Sequence, residues 1–321
     1  MAAQTWISVF GSVKISEGVI RLLPLSGPLA DGMPPADGSA VQPPHAIVRS
    51  NLEFEQGTIT WESKLGEQST RAQLLLAAEA KGASGADSSK AKGDSSAAFE
   101  LSAGLNVLGA PYGFAMWTGG AWEGVGGTGH GTVLPVGKWI HMKLTVRGSD
   151  VDLYVEGVKV VSTTATLKRA QIGFLLQGSV ESEIRNVVVT ESMPTCFAVM
   201  QFTEEFNILY QDVIRPVCES YGYKVVRGDD FYTSGLIMED VTQSIRSAAL
   251  IIADVTPDNA NVFYEVGYAH AINKPTILLS DRKRERLPFD ISGFRTLFYD
   301  NTIGGKSQVE ERLKQHLEAL R

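Results

Sequence analysis

Along the first part of the chain, apolar and polar positions alternate in short runs broken by Gly, Pro, Asp and Ser. In residues 140–147 (Ile-His-Met-Lys-Leu-Thr-Val-Arg) every second side chain is apolar, the period of a strand with one buried face. Similar runs cover residues 57–64, 71–77, 97–103, 112–117, 139–147, 151–156, 171–177 and 182–190. Glu156-Gly157 between two such runs predicts a hairpin. Many short strands with almost no helical period predict an antiparallel β-sandwich. The segments 25–44 and 81–97, rich in Gly, Pro, Ala, Ser and Asp, are expected to be long loops within it.

From Thr195 the pattern changes. Short apolar runs at 196–202, 223–227, 250–255, 275–280 and 295–299 alternate with helical stripes at 204–221, 235–248, 262–273 and 308–320. The run 250–255 is apolar on both faces, as in a central parallel strand. Strands alternating with helices predict a flavodoxin-like, five-stranded parallel sheet of order 2-1-3-4-5. Its ligand crevice would open where the first and third of these strands meet. The chain therefore reads as a multidomain β plus α/β protein: a sandwich over 1–193 and an α/β domain over 194–321.

Composition supports the division. Of 32 glycines 25 precede residue 194, as do all five tryptophans, while charge is spread evenly and sums to −7. An acidic chain speaks against nucleic-acid or membrane-surface partners. No run approaches the roughly 18 apolar residues of a membrane span, and the N-terminus lacks the look of a secretory signal. Two cysteines, Cys196 and Cys218, suit reduced buried thiols, so a cytoplasmic location is expected. No Walker loop, zinc spacing or dinucleotide fingerprint occurs, so neither a metal nor a resident cofactor is expected.

Polar residues concentrate at the predicted crevice. The residues predicted to line it are Gln201, Phe202 and Thr203 after the first strand, Gly228, Asp229, Asp230 and Phe231 after the second, and Asp254, Thr256, Asp258, Asn259 and Asn261 after the third. Asn261 is the expected N-cap of the helix carrying Tyr264 and Glu265. That cap would leave the Glu265 carboxylate near the positive helix end, ionised and facing the crevice. Tyr264, Val266 and Ala269 are expected to pack, and Gly267 to let the helix approach the sheet. Asp254 reads equally well as an acid or as a cap for the loop that follows it. Arg282, Lys283, Arg284 and Arg286 read as a charged surface loop, with phosphate binding as the sharper alternative.

The segment Asp254-Val255-Thr256, Asn259-Ala260-Asn261, Phe263-Tyr264-Glu265-Val266-Gly267-Tyr268-Ala269 and then Lys274-Pro275 resembles the nucleoside 2-deoxyribosyltransferase superfamily. It is also similar to bacterial TIR-like domains, many of which cleave the nicotinamide–ribose bond of NAD. The resemblance implies that Glu265 is the catalytic glutamate and Asp254 a second catalytic group. Phe202, Thr203, Asp229, Asp230, Asp258, Asn259, Asn261 and Tyr264 would contact the substrate, either NAD or a nucleoside. Two departures stand out: residues 257–261 replace the transferases' usual aspartate–glycine pair, and the Trp-Cys element of TIR domains is absent.

In the first half, residues 137–146, 151–157, 170–174 and 184–188 together resemble concanavalin A-like jelly rolls of the laminin-G and glucanase type. Glucanase members carry closely spaced acids on one strand; only Glu53 and Glu55 come near that arrangement. Trp117, Trp122 and the Gly-rich run 119–131 offer a sugar-stacking loop, although rim tryptophans beside a loop are the commoner case. His130 and His141 have no metal-ligand spacing.

The resemblances together imply an N-glycosidase effector that cleaves NAD, used in prokaryotic antiviral defence and regulated through the sandwich. That domain would bind a carbohydrate, protein or signal ligand, or drive homo-oligomer assembly. The alternatives are a deoxyribosyltransferase of nucleotide salvage and a nucleotide sensor without chemistry.

Overall fold

The computed structural model describes residues 4–23, 44–78, 100–118, 121–228, 237–284 and 286–319. It divides into two compact units, Met1–Val146 with Val151–Glu191, and Ser192–Arg321 with Arg147–Asp150. The expected loops at 25–44 and 81–97 fall almost wholly outside the described residues.

The first unit is a jelly-roll-like sandwich of two seven-stranded sheets. In chain order the strands are β1 (Trp6–Phe10), β2 (Val13–Ser16), β3 (Val19–Leu22), β4 (His45–Phe54), β5 (Gly57–Lys64), β6 (Arg71–Leu76), β7 (Leu101–Val107), β8 (Ala110–Trp117), β9 (Trp122–Thr128), β10 (Trp139–Arg147), β11 (Asp150–Val155), β12 (Val158–Thr164), β13 (Ala170–Gln177) and β14 (Ser182–Glu191). One sheet runs β1-β4-β13-β6-β7-β8-β9 and the other β12-β11-β10-β5-β14-β3-β2. Alternating side chains such as Ile59 and Trp61 on β5, Met142 and Leu144 on β10, and Phe174 on β13 fill one core between the sheets. The β11–β12 hairpin turns where expected. Glu156 and Gly157 both take positive φ, 50° and 81°, the left-handed pair that matches strand twist.

The Gly-rich run after Trp117 departs from expectation. It forms not only a loop but strand β9, paired antiparallel with β8 from Tyr112–Thr128 to Trp117–Trp122. Added Cβ atoms at Gly126 and Gly127 would stand 3.2 Å from Val161 Cγ2 and 2.7 Å from Ala110 Cβ, so close neighbours favour glycine here and the apolar alternation is lost.

The second unit holds β15 (Thr195–Val199), α1 (Glu204–Leu209), a π-helical turn (Tyr210–Ile214), α2 (Arg215–Ser220), β16 (Lys224–Arg227), α3 (Ile237–Ser247), β17 (Leu250–Asp254), α4 (Ala260–Ala271), β18 (Thr276–Asp281), α5 (Phe289–Ser292), β19 (Thr296–Tyr299) and α6 (Ile303–Ala319). The sheet is parallel with order β16-β15-β17-β18-β19, the expected 2-1-3-4-5. Side chains of alternate parity on β15 and β17 enter opposite cores. Cys196, Ala198, Leu250 and Ile252 meet α1, α2 and α6 on one face. Phe197, Val199, Ile251 and Ala253 meet α3 and α4 on the other. Both cysteines are free and buried. The single long helix expected over 204–221 is interrupted by the π turn. The apolar stripe alone does not reveal that extra residue, because a π turn shifts the register without changing residue type.

No helix among the described residues is long and apolar enough to cross a membrane. Nor do those residues include a cluster of three or more His, Cys, Asp or Glu placed to hold a metal ion.

Candidate functional site

The reversal of strand order puts β15 beside β17, so the loops after these two strands diverge and leave a crevice at their C-terminal ends. Loop 200–203 leads to α1 and loop 255–259 to α4. Phe202, Thr203, Asp258, Asn259, Asn261, Tyr264 and Glu265 all lie on these loops or on the opening turns of their helices. Asp229 and Asp230 lie outside the described residues.

The cap of α4 is Asn259 and not Asn261. Asn259 is extended (φ −122°, ψ 113°), and its Oδ1 accepts from the backbone N–H of Asn261 at 3.0 Å and of Val262 at 3.3 Å. Both asparagines can cap, and the backbone conformation at 259 decides between them. The helix therefore begins two residues earlier than expected, and Glu265 falls in its second turn, where the dipole has faded. Burial then dominates its charge. The carboxyl is half-buried and pushed up to about 7, against an ionised group expected from the sequence.

The face of α4 also differs from expectation. Val262, Val266 and Ala269 pack, but Tyr264 is 53% exposed. Among the described residues a Cβ added at Gly267 would meet no neighbour within 4 Å outside its own helix, and the residue is exposed, so this glycine does not serve close approach to the sheet. With the helix started at 260, the i, i+4 pair Val262 and Val266 sets the buried stripe and turns 264 and 267 outward.

Asp254 ends β17 completely buried. Its Oδ1 accepts the Thr256 N–H at 2.9 Å and its Oδ2 accepts the Tyr299 hydroxyl at 2.6 Å. Burial raises this carboxyl to about 6 in spite of those donors, and burial, then the adjacent carboxylate, raise the Tyr299 hydroxyl as well. The Thr256 hydroxyl accepts the Asp281 N–H at 2.9 Å, which extends the network to β18. These are the contacts of the loop cap weighed for this residue.

Asp258 is mostly exposed and meets Arg284 at 2.6 Å. The Arg284 guanidinium is itself nearly buried and donates to the carbonyls of Val255 at 2.9 Å and Thr256 at 2.7 Å. The 282–284 segment is thus tied to neighbours: Arg282 to Asp300 at 3.5 Å, and Lys283 to Glu205. Lys283 holds the Glu205 carboxyl below its ordinary range. Thr203 is the N-cap residue of α1 without a side-chain cap bond.

One residue that sequence reasoning passed over is Arg227, buried at the end of β16. Its Nη1 donates to Asn207 Oδ1 at 2.8 Å, and its guanidinium lies 4.5 Å from the Tyr210 ring centroid and 5.1 Å from that of Phe202. An arginine directly after the apolar pair Val225-Val226 was the available signal.

In the sandwich, Trp117 and Trp122 pack at 5.8 Å between centroids, both half-buried. Glu53 is engaged by Arg169 at 3.1 Å.

No model of a known protein family matches the chain, and no curated protein matches it. Solved structures similar to the N-terminal sandwich include a carbohydrate-binding module, CBM66 from Bacillus subtilis. It has 13% identity and a TM-score of 0.40, covering 57% of this chain and 92% of that one. The Bacillus licheniformis β-glucanase has 12% identity and a TM-score of 0.37, covering 58% and 92%. The carbohydrate recognition domain of Emp46p, in its metal-free form, has 15% identity and a TM-score of 0.37, covering 57% and 85%. Such identities speak of fold alone.

Proposed function

We propose that the α/β unit is an N-glycosidase acting on NAD, with Glu265 as its catalytic carboxylate. The observation that carries this reading is the placement of a half-buried carboxyl, pushed up to about 7, on the helix that follows the central strand at the switch point. Breaking the C1′–N bond sends the bonding pair out with nicotinamide, which leaves neutral from a cationic ring. The ribosyl oxocarbenium left behind is stabilised by an anionic carboxylate, and water then adds at C1′ and releases a proton. ADP-ribose, nicotinamide and one proton balance NAD and water. No general acid is needed, so the Asp254 carboxyl, enclosed by Thr256 and Tyr299, acts here as a positioning group for the 255–259 loop.

Transfer of deoxyribose between bases is the enzymatic alternative. A purine leaves a deoxynucleoside as an anion unless protonated, so this reading needs a general acid, Asp254 or Asp258, beside the ionised Glu265. Burial raises the Asp254 carboxyl to about 6. The two readings therefore predict different pH profiles. NAD cleavage rises as pH passes upward through about 7, because the ionised Glu265 works. Deoxynucleoside cleavage that uses Asp254 as its acid is lost as pH rises above about 6, where that carboxyl gives up its proton.

The sandwich is proposed as the recognition or assembly part, with carbohydrate the ligand class suited to the paired Trp117 and Trp122 rings. An effector role in antiviral defence belongs to the same proposal. The test is to incubate the full chain with NAD, and separately with 2′-deoxyadenosine plus a second free base, beside Glu265→Gln. Loss of NAD in wild type alone supports the main reading, and base exchange supports the alternative. Equal inertness of both proteins towards both substrates removes the catalytic reading and leaves a nucleotide sensor.

A further inference from the structure

We propose that Arg284 is a positioning residue for Glu265: its guanidinium fixes the 255–258 loop as a preformed wall of the crevice and, through the start of α4, sets the place of the catalytic carboxyl. The inference rests on the glycosidase reading above and deepens it by naming a side chain outside the crevice loop on which that reading depends.

Arg284 stands three residues beyond the end of β18, and its side chain is only 9% exposed. A buried guanidinium is costly unless its donors are met. Four of its five N–H groups find acceptors. Nε donates to the Arg286 carbonyl at 2.9 Å, and Nη1 donates to the carbonyls of Val255 at 2.9 Å and Thr256 at 2.7 Å. Nη2 donates to Asp258 Oδ1 at 2.6 Å. Three of these four acceptors belong to the loop between β17 and α4. The same guanidinium lies 5.7 Å from the ring centroid of Phe263, on the opening turn of α4. These contacts also answer the phosphate alternative at this residue, because the guanidinium is spent on its own chain.

The amide side of the loop is held separately. The Val255 N–H donates to the Leu279 carbonyl at 2.9 Å and the Thr256 N–H to Asp254 Oδ1 at 2.9 Å. The Thr256 hydroxyl accepts the Asp281 N–H at 2.9 Å, and Pro257 has no N–H to satisfy. Asn259 then caps α4. Every polar backbone group of Val255 and Thr256 thus has a partner, and Arg284 supplies the carbonyl half. Without it two carbonyls at buried residues lose their donors, and the peptide planes that lead into the cap are free to turn. Glu265 lies in the second turn of α4, so a shift at the helix start carries its carboxyl along. Chemistry at C1′ is sensitive to misplacement of about 1 Å. Lysine cannot replace the fork, because its donors sit on one nitrogen and cannot span these separate acceptors.

Arg284→Lys in the full chain tests this, assayed with NAD at a temperature where circular dichroism shows the variant folded. kcat is expected to fall about a hundredfold. KM for NAD should move by less than about threefold, because a misplaced carboxylate is missed in the transition state and not in the ground state. Amide hydrogen exchange read by mass spectrometry should quicken about tenfold over residues 255–263, while β15 and α6 exchange as in wild type. If Arg284→Lys does not fold, Arg284→Gln takes its place with the same expectations. The wild-type amides of Val255, Thr256 and Val262 should in any case exchange slowly, and rapid exchange there overturns the preformed wall. Unchanged exchange over 255–263 in the variant overturns the clamp. Quicker exchange with unchanged kcat, or a rise in KM alone, overturns the positioning of Glu265 and leaves the glycosidase reading standing. Wild type inert towards NAD defeats that reading, and the exchange comparison then judges the clamp by itself.

Discussion

At the scale of single residues, two carboxyls carry raised affinities for protons, and both costs are readable in stability. Asp254 is pushed by burial from 3.8 to about 6. The unfolded chain therefore gives up this proton first, and between about pH 4 and 6 the folded state holds more of it, so stability falls as pH rises. In Asp254→Asn this contribution disappears, and the wild-type-minus-variant Tm difference should fall as pH rises across that window. Asp254→Ala should cost about 2–4 kcal/mol in denaturant unfolding, because the Thr256 N–H and Tyr299 hydroxyl lose their acceptor inside the protein. Glu265 has the same sign over a higher window, from 4.5 to about 7. Glu265→Gln should thus raise Tm at pH 8 and lose that gain near pH 4.5. A variant both inactive and more stable above neutrality is the signature of a group held for chemistry at a cost to folding. A Tm unchanged at pH 8 would mean that burial does not perturb this carboxyl.

At the scale of elements, α4 shows how one cap sets a site. Asn259 satisfies two amide donors and so fixes where the helix starts, while the packed Val262, Val266 and Ala269 set which residues turn outward. Asn259→Ala should cost about 1 kcal/mol, whereas Asn261→Ala, at an exposed helical position, should change stability little. Thermal melts of the two variants distinguish these assignments, and equal losses would refute them. The existence of α4 and its glutamate was legible in the apolar spacing. Its cap was not, because two asparagines two residues apart satisfy the same local rule. The continuous helix expected after β15 failed for a similar reason: residues in a π turn carry no composition of their own. Strand β9 was hidden because its glycines answer to close neighbours, Val161 and Ala110, and so leave no apolar alternation to read.

At the scale of the whole molecule, the core clusters among the described residues each draw on one unit alone. Those of the α/β unit draw on residues from Cys196 to Leu317, and that of the sandwich on residues from Trp6 to Val189. The fragment 194–321 is expected to unfold cooperatively by itself, with a sigmoidal thermal transition by circular dichroism; a non-cooperative melt would show that its cores need more chain. NAD cleavage by this fragment at low concentration, compared with the full chain, measures what the sandwich contributes. Full activity in the fragment would defeat a regulatory role for the sandwich.

The sequence by itself determined the two architectures and the strand order, because periodicity and the alternation of strand with helix are local properties that constrain topology. It also placed Glu265 on a helix after the central strand. Tertiary structure alone decided the raised proton affinity of that glutamate, the inward bonds of Asp254, the Asp258–Arg284 pair and the nearness of Arg227 to Phe202. Each depends on burial and on partners brought together from distant parts of the chain, and neither is written in the spacing of neighbours.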